Sequence, residues 1–517
     1  MKLRDLLVGV NPTQSIRNAE VEITSLAYDS RQAGSGSFFF AIRGEKTDGN
    51  RFVFDAVDRG ARAIASELPR PWNPQWGVMY ANELAHGIVA PKHVPDNVEW
   101  IQVADARKAL AMVAAIFYRR PAQALKLVGV TGTNGKTTTT YLIDSIVRAA
   151  GHEPGLFGTI TYRTPRSSRM ATTTTPESLD LQGFLAEVRD AGGTHAVLEV
   201  SSHALAMDRV WGCPFAVAVF TNLTRDHLDF HKTFEDYFAA KRRLFEGTGC
   251  GAPAVGVVNT DDPYGPRLAA LAARTLTYGL KNGADVTAKR FALSFSGLEF
   301  VAQTPAGKIE VRSRLVGRIN VYNILAAIGA AIGLGIEREA IEAGIRQLES
   351  VPGRFERIDL GQPYLLVVDY AHTDDALRNL LATARELNAS GRIITLFGCG
   401  GDRDRAKRPL MGEAAGRASD VVVLTSDNPR SEDPLRTIND AVVGLQKANA
   451  KYLVEPDRAV AIERALDQAR PGDIVLLAGK GHETYQVLRD RTIDFDDREV
   501  ARRVLRQRGF GSQGHKA

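Results

Sequence analysis

A chain of 517 residues has room for about three domains, each with its own core. Its 44% hydrophobic and 24% charged residues are those of a soluble globular protein, and 65 Lys+Arg against 60 Asp+Glu is too balanced to indicate nucleic-acid binding. Cys213, Cys250 and Cys399 show no paired spacing, so neither a disulfide framework nor a zinc site is implied. No stretch approaches about 18 uninterrupted apolar residues and no leader is visible, so no membrane insertion and a cytoplasmic location are expected.

In chain order, residues 1–104 form a small N-terminal α/β unit. Ser37 to Ile42 reads as a strand, Gly44 to Gly49 as a polar loop, Phe52 to Arg59 as a helix that Gly60 ends. Asp29-Ser30-Arg31 reads as an ordinary turn on residue type alone. A central unit, 105–350, opens with a helix from Asp105 to Phe117. Leu125 to Val130 then reads as a buried strand, and Tyr141 to Val147 has apolar residues at helical spacing.

Between them lies Gly132-Thr133-Asn134-Gly135-Lys136-Thr137-Thr138. Strand, glycine turn and helix are the context of a phosphate-binding loop, where backbone N–H groups and a helix N-terminus meet phosphate. Lys136 would reach the terminal phosphates and Thr137 would offer its hydroxyl to Mg²⁺. The strict eight-residue pattern wants Gly where this chain has Val130.

Thr172-Thr173-Thr174-Thr175-Pro176 is a hydroxyl-rich loop that either coordinates phosphate or metal, or caps a helix from Pro176 with Thr175 as N-cap. Ala196 to Glu199 and Ala216 to Phe220 read as buried strands ending in Ser201, Ser202 and His203, and in Thr221, Asn222, Asp226 and His227. Ligands bind beyond the carboxyl ends of such strands. Glu199 suits a hard cation; His227 is less typical and reads equally as a hydrogen-bonded loop histidine. Phe234 to Glu246 is a helix containing Lys241. Val286 to Val311 alternates as an antiparallel hairpin appended to the parallel sheet. Gly317 opens an Ala-rich helix, and Val351 to Glu356 reads as a linker.

The C-terminal unit, 351–517, repeats strand and helix, which predicts a doubly wound, Rossmann-like parallel sheet. Four strands end in Asp369-Tyr370-Ala371-His372, Gly398 to Arg405, Asp427-Asn428-Pro429-Arg430 and Gly479-Lys480-Gly481-His482-Glu483. Arginines and a carboxylate on one sheet edge suit a zwitterionic substrate.

Together these motifs resemble the Mur ligases, ATP-dependent ligases of peptidoglycan precursor assembly. The carriers are the phosphate loop, Glu199 to His203, Thr221-Asn222-Leu223 with Asp226 to Asp229, Ala239-Ala240-Lys241, Asn320 with Asn323, Pro352 to Glu356, Asp369 to His372 and Gly479 to Glu483. Asp427-Asn428-Pro429-Arg430 is similar to the pattern of members that add meso-2,6-diaminopimelate rather than L-lysine.

The resemblance implies an α/β fold of three domains and the substrates UDP-N-acetylmuramoyl-L-alanyl-D-glutamate, meso-diaminopimelate and ATP, with Mg²⁺. The glutamyl γ-carboxylate takes the γ-phosphoryl group of ATP, and the amine then displaces phosphate from the acyl phosphate. It assigns Lys136, Lys241, Glu199 and His227 to catalysis, and Thr137, Glu199, His227 and a carbamylated Lys241 to the metal. Gly132, Thr133, Asn134, Gly135, Lys136, Thr137, Thr138, Asn323, Arg354 and Asp369 would contact ATP. Ser30, Glu45, Lys46, Thr47, Thr174, Thr175, Ser201, Met207 and Arg209 would contact the nucleotide sugar. Arg403, Asp427, Asn428, Pro429, Arg430, Gly479 and Glu483 would hold diaminopimelate, Arg430 on its distal carboxylate and Glu483 on its distal ammonium. A monomer is expected.

The chain departs from the family pattern at Tyr28, Thr173, Met207 and Asp374-Asp375, the last reading as a surface change. The rivals are an L-lysine-adding or folylpolyglutamate synthase-like ligase, a P-loop switch or motor NTPase, and a nucleotide-sugar-binding protein.

Overall fold

The computed structural model describes residues 1–44, 47–70, 94–281, 283–388 and 390–511. The chain forms two compact units. The first takes Met1–Gly129, Glu153–Ala216 and Arg243–Pro253; the second takes Val130–His152, Val217–Arg242 and the chain from Ala254 onward.

In the first unit, a parallel sheet runs in the order Ser25–Ala27, Ser37–Phe40, Ala63–Ser66, Glu99–Gln102. Its strands are short apolar runs because both faces are covered. Phe38 and Phe40 pack with Leu110 and Val113 of helix Ala106–Phe117, whereas Phe39 and Ile64 pack with Val53 and Trp100 on the other face. A second group pairs Gly155–Phe157 in parallel with His195–Glu199, and in antiparallel fashion with Thr161–Arg163 and then Ser168–Met170.

The helix expected from Pro176 spans Ser178–Asp190 instead, with Glu177 as the cap. Thr175 is not the cap because its hydroxyl donates to the Glu199 carbonyl, 2.8 Å away. The expectation that Glu45 and Lys46 contact the nucleotide sugar falls outside the described residues.

In the second unit, Val217 to Phe220 pair in parallel with Val255–Asn259, which pairs in the same way with Arg274–Gly279. The appended antiparallel part is a three-stranded meander, Val286–Ser294, Gly297–Thr304 and Gly307–Ser313, one strand more than a hairpin. Helix Lys136–Ala149 packs against Arg318–Leu334 and Arg338–Gln347. A Cβ at Gly344 would overlap the Ile146 backbone, so glycine permits this close approach.

The same unit holds a six-stranded sheet ordered Glu356–Ile358, Leu365–Asp369, Ile474–Ala478, Ile393–Cys399, Val421–Ser426, Tyr452–Val454. Only the edge strand Glu356–Ile358 is antiparallel. Separate apolar clusters cover its faces, one around Leu377, Phe397 and Met411, the other around Ile462, Leu477 and Leu505. This is the expected doubly wound sheet. No described helix is long and apolar enough to cross a membrane.

Candidate active site

The strand Lys126–Thr131 is apolar until it meets Gly132, and helix Lys136–Ala149 begins four residues later. Val130 is fully buried in the strand, so the turn falls to Gly132 and Gly135, with φ of +146° and +86°. A Cβ at Gly132 would overlap the Thr221 hydroxyl, and one at Gly135 the Asn323 side chain. Both positions therefore require glycine twice over, for backbone conformation and for space.

Thr221 and Asn222 buckle this loop. The Thr221 hydroxyl donates to the Asn134 carbonyl at 2.7 Å, and Asn222 accepts from the backbone of Thr133 at 2.8 Å and of Asn134 at 2.9 Å. Lys136 Nζ donates to the carbonyls of Gly132 and Thr133, and Lys241 Nζ to that of Gly132 at 2.7 Å. Lys241 is 1% exposed and lies over the Tyr237 ring. Burial, and then the charge of Lys136, hold its ammonium well below the ordinary lysine range. The shift favours the unprotonated amine, the form that can react with carbon dioxide.

Residues after Val351 in the second unit complete the loop's surroundings. Arg354 donates to the Thr137 hydroxyl at 3.1 Å and lies over Tyr370. Asp369 accepts from the backbone of Phe355 and Ala371, and its carboxyl is pushed up by burial against the opposing pull of Arg354. Asp375 accepts from the Asn134 amide at 2.8 Å and from Thr224. Asp374 is 8% exposed, so Asp374-Asp375 is not the surface change expected. The pair opens helix Asp374–Leu387, whose start faces the phosphate loop. Asn323 stands beside Gly135 and bonds to Asn320.

His227 adopts φ +55° and its Nε2 lies 3.3 Å from Asp226. Burial raises the Asp226 carboxyl, but His227, Lys407 and His372 outweigh it and hold it at about 2. Among the described residues no three His, Cys, Asp or Glu side chains cluster as a metal site.

Several expected nucleotide-sugar residues meet in the first unit. Glu199, 1% exposed, accepts from the backbone and hydroxyl of Thr159. That same hydroxyl also reaches Thr174. Thr175 accepts from the Ser201 backbone, and Arg209 donates to the Thr175 carbonyl. Met207 Sδ lies 3.7 Å from Arg209, Thr173 bonds to Tyr162, and Tyr28 donates to Asp180 at 2.6 Å. Ser30 is buried in a turn capped by Asp29, whereas Thr47 is exposed.

The expected diaminopimelate residues also converge, in the second unit. Arg430 takes φ +52°, gives its backbone N–H to Val487 and its guanidinium to the Gly401 carbonyl at 2.6 Å. Beside Gly400 stand Arg430 and the exposed Arg403. Gln486 donates to the Asp427 carbonyl, and Asn428 binds Glu483 at 2.9 Å. Gly479, at φ +111°, faces Asp427. Sequence reasoning gave no role to Asp375, Tyr237, Gln486 or Lys480. Only Lys480 carried a signal, its place inside a motif already noted.

Family models match three stretches: the Mur ligase family, catalytic domain at residues 22–118, the Mur ligase middle domain at 130–331 and the Mur ligase, glutamate ligase domain at 353–481. UDP-N-acetylmuramoyl-L-alanyl-D-glutamate--2,6-diaminopimelate ligase of Solibacter usitatus is 55% identical over 95% of both chains. That of Geobacter metallireducens is 44% identical over 99% of this chain and 100% of its own. A solved structure of a ligase with that name superposes with TM-score 0.63 at 32% identity, over 98% of this chain and 99% of its own. The folylpolyglutamate synthase of Mycobacterium tuberculosis shares the fold, at TM-score 0.60 and 17% identity over 72% of this chain and 92% of its own. Buckled phosphate loop, doubly wound C-terminal sheet and near-full-length relatives agree, and the chain belongs to the Mur ligase family.

Proposed function

We propose that this enzyme uses ATP to join meso-2,6-diaminopimelate to the D-glutamyl γ-carboxylate of UDP-N-acetylmuramoyl-L-alanyl-D-glutamate, a cytoplasmic step of peptidoglycan precursor synthesis. The observation that carries the specificity is the loop Asp427–Arg430. Its left-handed Arg430 is anchored at both backbone and guanidinium, beside Asn428 bound to Glu483. A pre-set guanidinium discriminates strongly against an amino acid that lacks the distal carboxylate. The names of the relatives described above support the same reading.

In this reading the γ-carboxylate attacks the γ-phosphorus of ATP, ADP leaves, and an acyl phosphate forms. The amine of diaminopimelate attacks the carbonyl, and the tetrahedral intermediate expels inorganic phosphate. Lys136 swings from the Gly132 and Thr133 carbonyls to the phosphates. Arg354, Asn323 and Asp369 contact the nucleotide. Ser30, Thr174, Thr175, Ser201, Met207 and Arg209 line the nucleotide-sugar site.

The Thr137 hydroxyl and the Glu199 carboxylate are oxygen donors of the kind Mg²⁺ takes, a hard cation that uses one or two carboxylates and completes its shell with phosphate oxygens. Thr137, Glu199, His227 and Lys241 would hold it. Lys241 fits only as a carbamate, since the amine offers no anionic oxygen; its burial and lowered pKa favour that modification. When bound, the ion supplies charge neutralisation for phosphoryl transfer.

The test is the Arg430→Ala variant. The KM for meso-diaminopimelate should rise at least tenfold while that for ATP stays within twofold. Equal changes in both would refute the assignment.

A further inference from the structure

Lys480 is 0% exposed, and the carboxylates its ammonium faces, Glu483 and Asp427, belong to the proposed amino-acid site. It donates to Glu483 Oε2 at 3.0 Å and to Asn428 Oδ1 at 3.2 Å, and stands 3.6 Å from Asp427 Oδ1. That Asp427 oxygen is buried and has no hydrogen-bond partner among the described residues. Of the three donors of the ammonium, two bond to residues of the proposed amino-acid site, and a third such residue stands at ion-pair distance.

The structural cation of this sheet edge is a different residue. Arg458 is fully buried, forms a two-bond pair with Asp497 and donates to the Ala478 carbonyl at 2.9 Å. The strand ends are thus already tied without Lys480.

We propose that Lys480 is a positioning residue that fixes Glu483 and Asn428 for the amino-acid substrate; this rests on the reading that Asp427–Arg430 and Glu483 bind diaminopimelate. Asn428 donates to Glu483 Oε2 at 2.9 Å, and Lys480 closes the triangle by bonding to both. Two donors on Oε2 orient the carboxylate and leave Oε1 for the ammonium of the substrate. Asn428 Oδ1 also accepts from the Val487 backbone at 2.9 Å, which ties the same loop to the strand Tyr485–Val487. The two cations Lys480 and Arg430 balance the carboxylates of Asp427 and Glu483, which suits a zwitterion.

The test uses the full-length enzyme in steady state, varying meso-diaminopimelate and ATP in turn, with Lys480→Met, Glu483→Gln, the double variant and Arg430→Ala. Lys480→Met should raise the KM for diaminopimelate at least tenfold, with kcat reduced less than fivefold and the ATP KM within twofold. In the Glu483→Gln background the same substitution should cost less than threefold, because the group it orients is gone. Should Lys480→Met fail to fold, Lys480→Gln, which keeps a donor, carries the same comparison. A diaminopimelate KM within twofold of wild type, a matching rise for ATP, or full additivity with Glu483→Gln would overturn the proposal. If Arg430→Ala raises the diaminopimelate KM and Lys480→Met does not, only the positioning role falls. If neither does, the site reading falls with it.

Discussion

A single buried amine separates this phosphate loop from an ordinary one. Lys241 bonds to the Gly132 carbonyl, and burial beside Lys136 lowers its pKa well below the ordinary lysine value. Lys241→Ala should abolish turnover, and short carboxylates added to the assay should restore part of it; an alanine variant of full activity would remove the carbamate role. His372 gives a second residue-scale prediction. Burial, reinforced by Lys407, lowers its imidazole from 6.5 to about 4. Between those values the unfolded chain binds a proton that the native state refuses, so stability rises with pH across the window. It is lost as pH falls from 6.5 towards 4, by up to about 3 kcal/mol. Urea unfolding at several pH values should show that slope, and His372→Asn should flatten it.

At the scale of elements, the phosphate loop is a strand, two glycines and a helix braced by the ends of neighbouring strands. Gly132→Ala should weaken ATP binding at least a hundredfold, since its Cβ would overlap Thr221 and its φ is +146°; titration with a fluorescent ATP analogue measures it. Most of these elements were legible. Buried parallel strands are short apolar runs that stop abruptly at a polar residue or a glycine, as Ala196 to Glu199 and Ile474 to Ala478 do. The cap of helix Ser178–Asp190 was not legible. Proline after threonine favours a cap at Thr175, but the Glu199 carbonyl claims that hydroxyl from 24 residues away. The role of Asp375 was equally hidden. Its partner Asn134 lies 241 positions back in the chain, and nothing local marks such a pairing. Lys480, flanked by glycines, carries no local sign of being fully buried.

Across the whole molecule, stability and site share parts. Arg458 and Asp497 are both fully buried, and Arg458 joins the ends of two strands that carry the amino-acid loops. Removing one partner strands a buried charge, so Asp497→Ala should cost about 3–5 kcal/mol in urea unfolding. In the proposed reaction one ATP energises a carboxyl group which only a dicarboxylic diamine then captures. The most direct measurement is ADP release from the full-length enzyme with UDP-N-acetylmuramoyl-L-alanyl-D-glutamate, comparing meso-diaminopimelate, L-lysine and L-glutamate. Sustained release with meso-diaminopimelate alone is the predicted result. Preference for L-lysine, or equal release with no amino acid present, would contradict it.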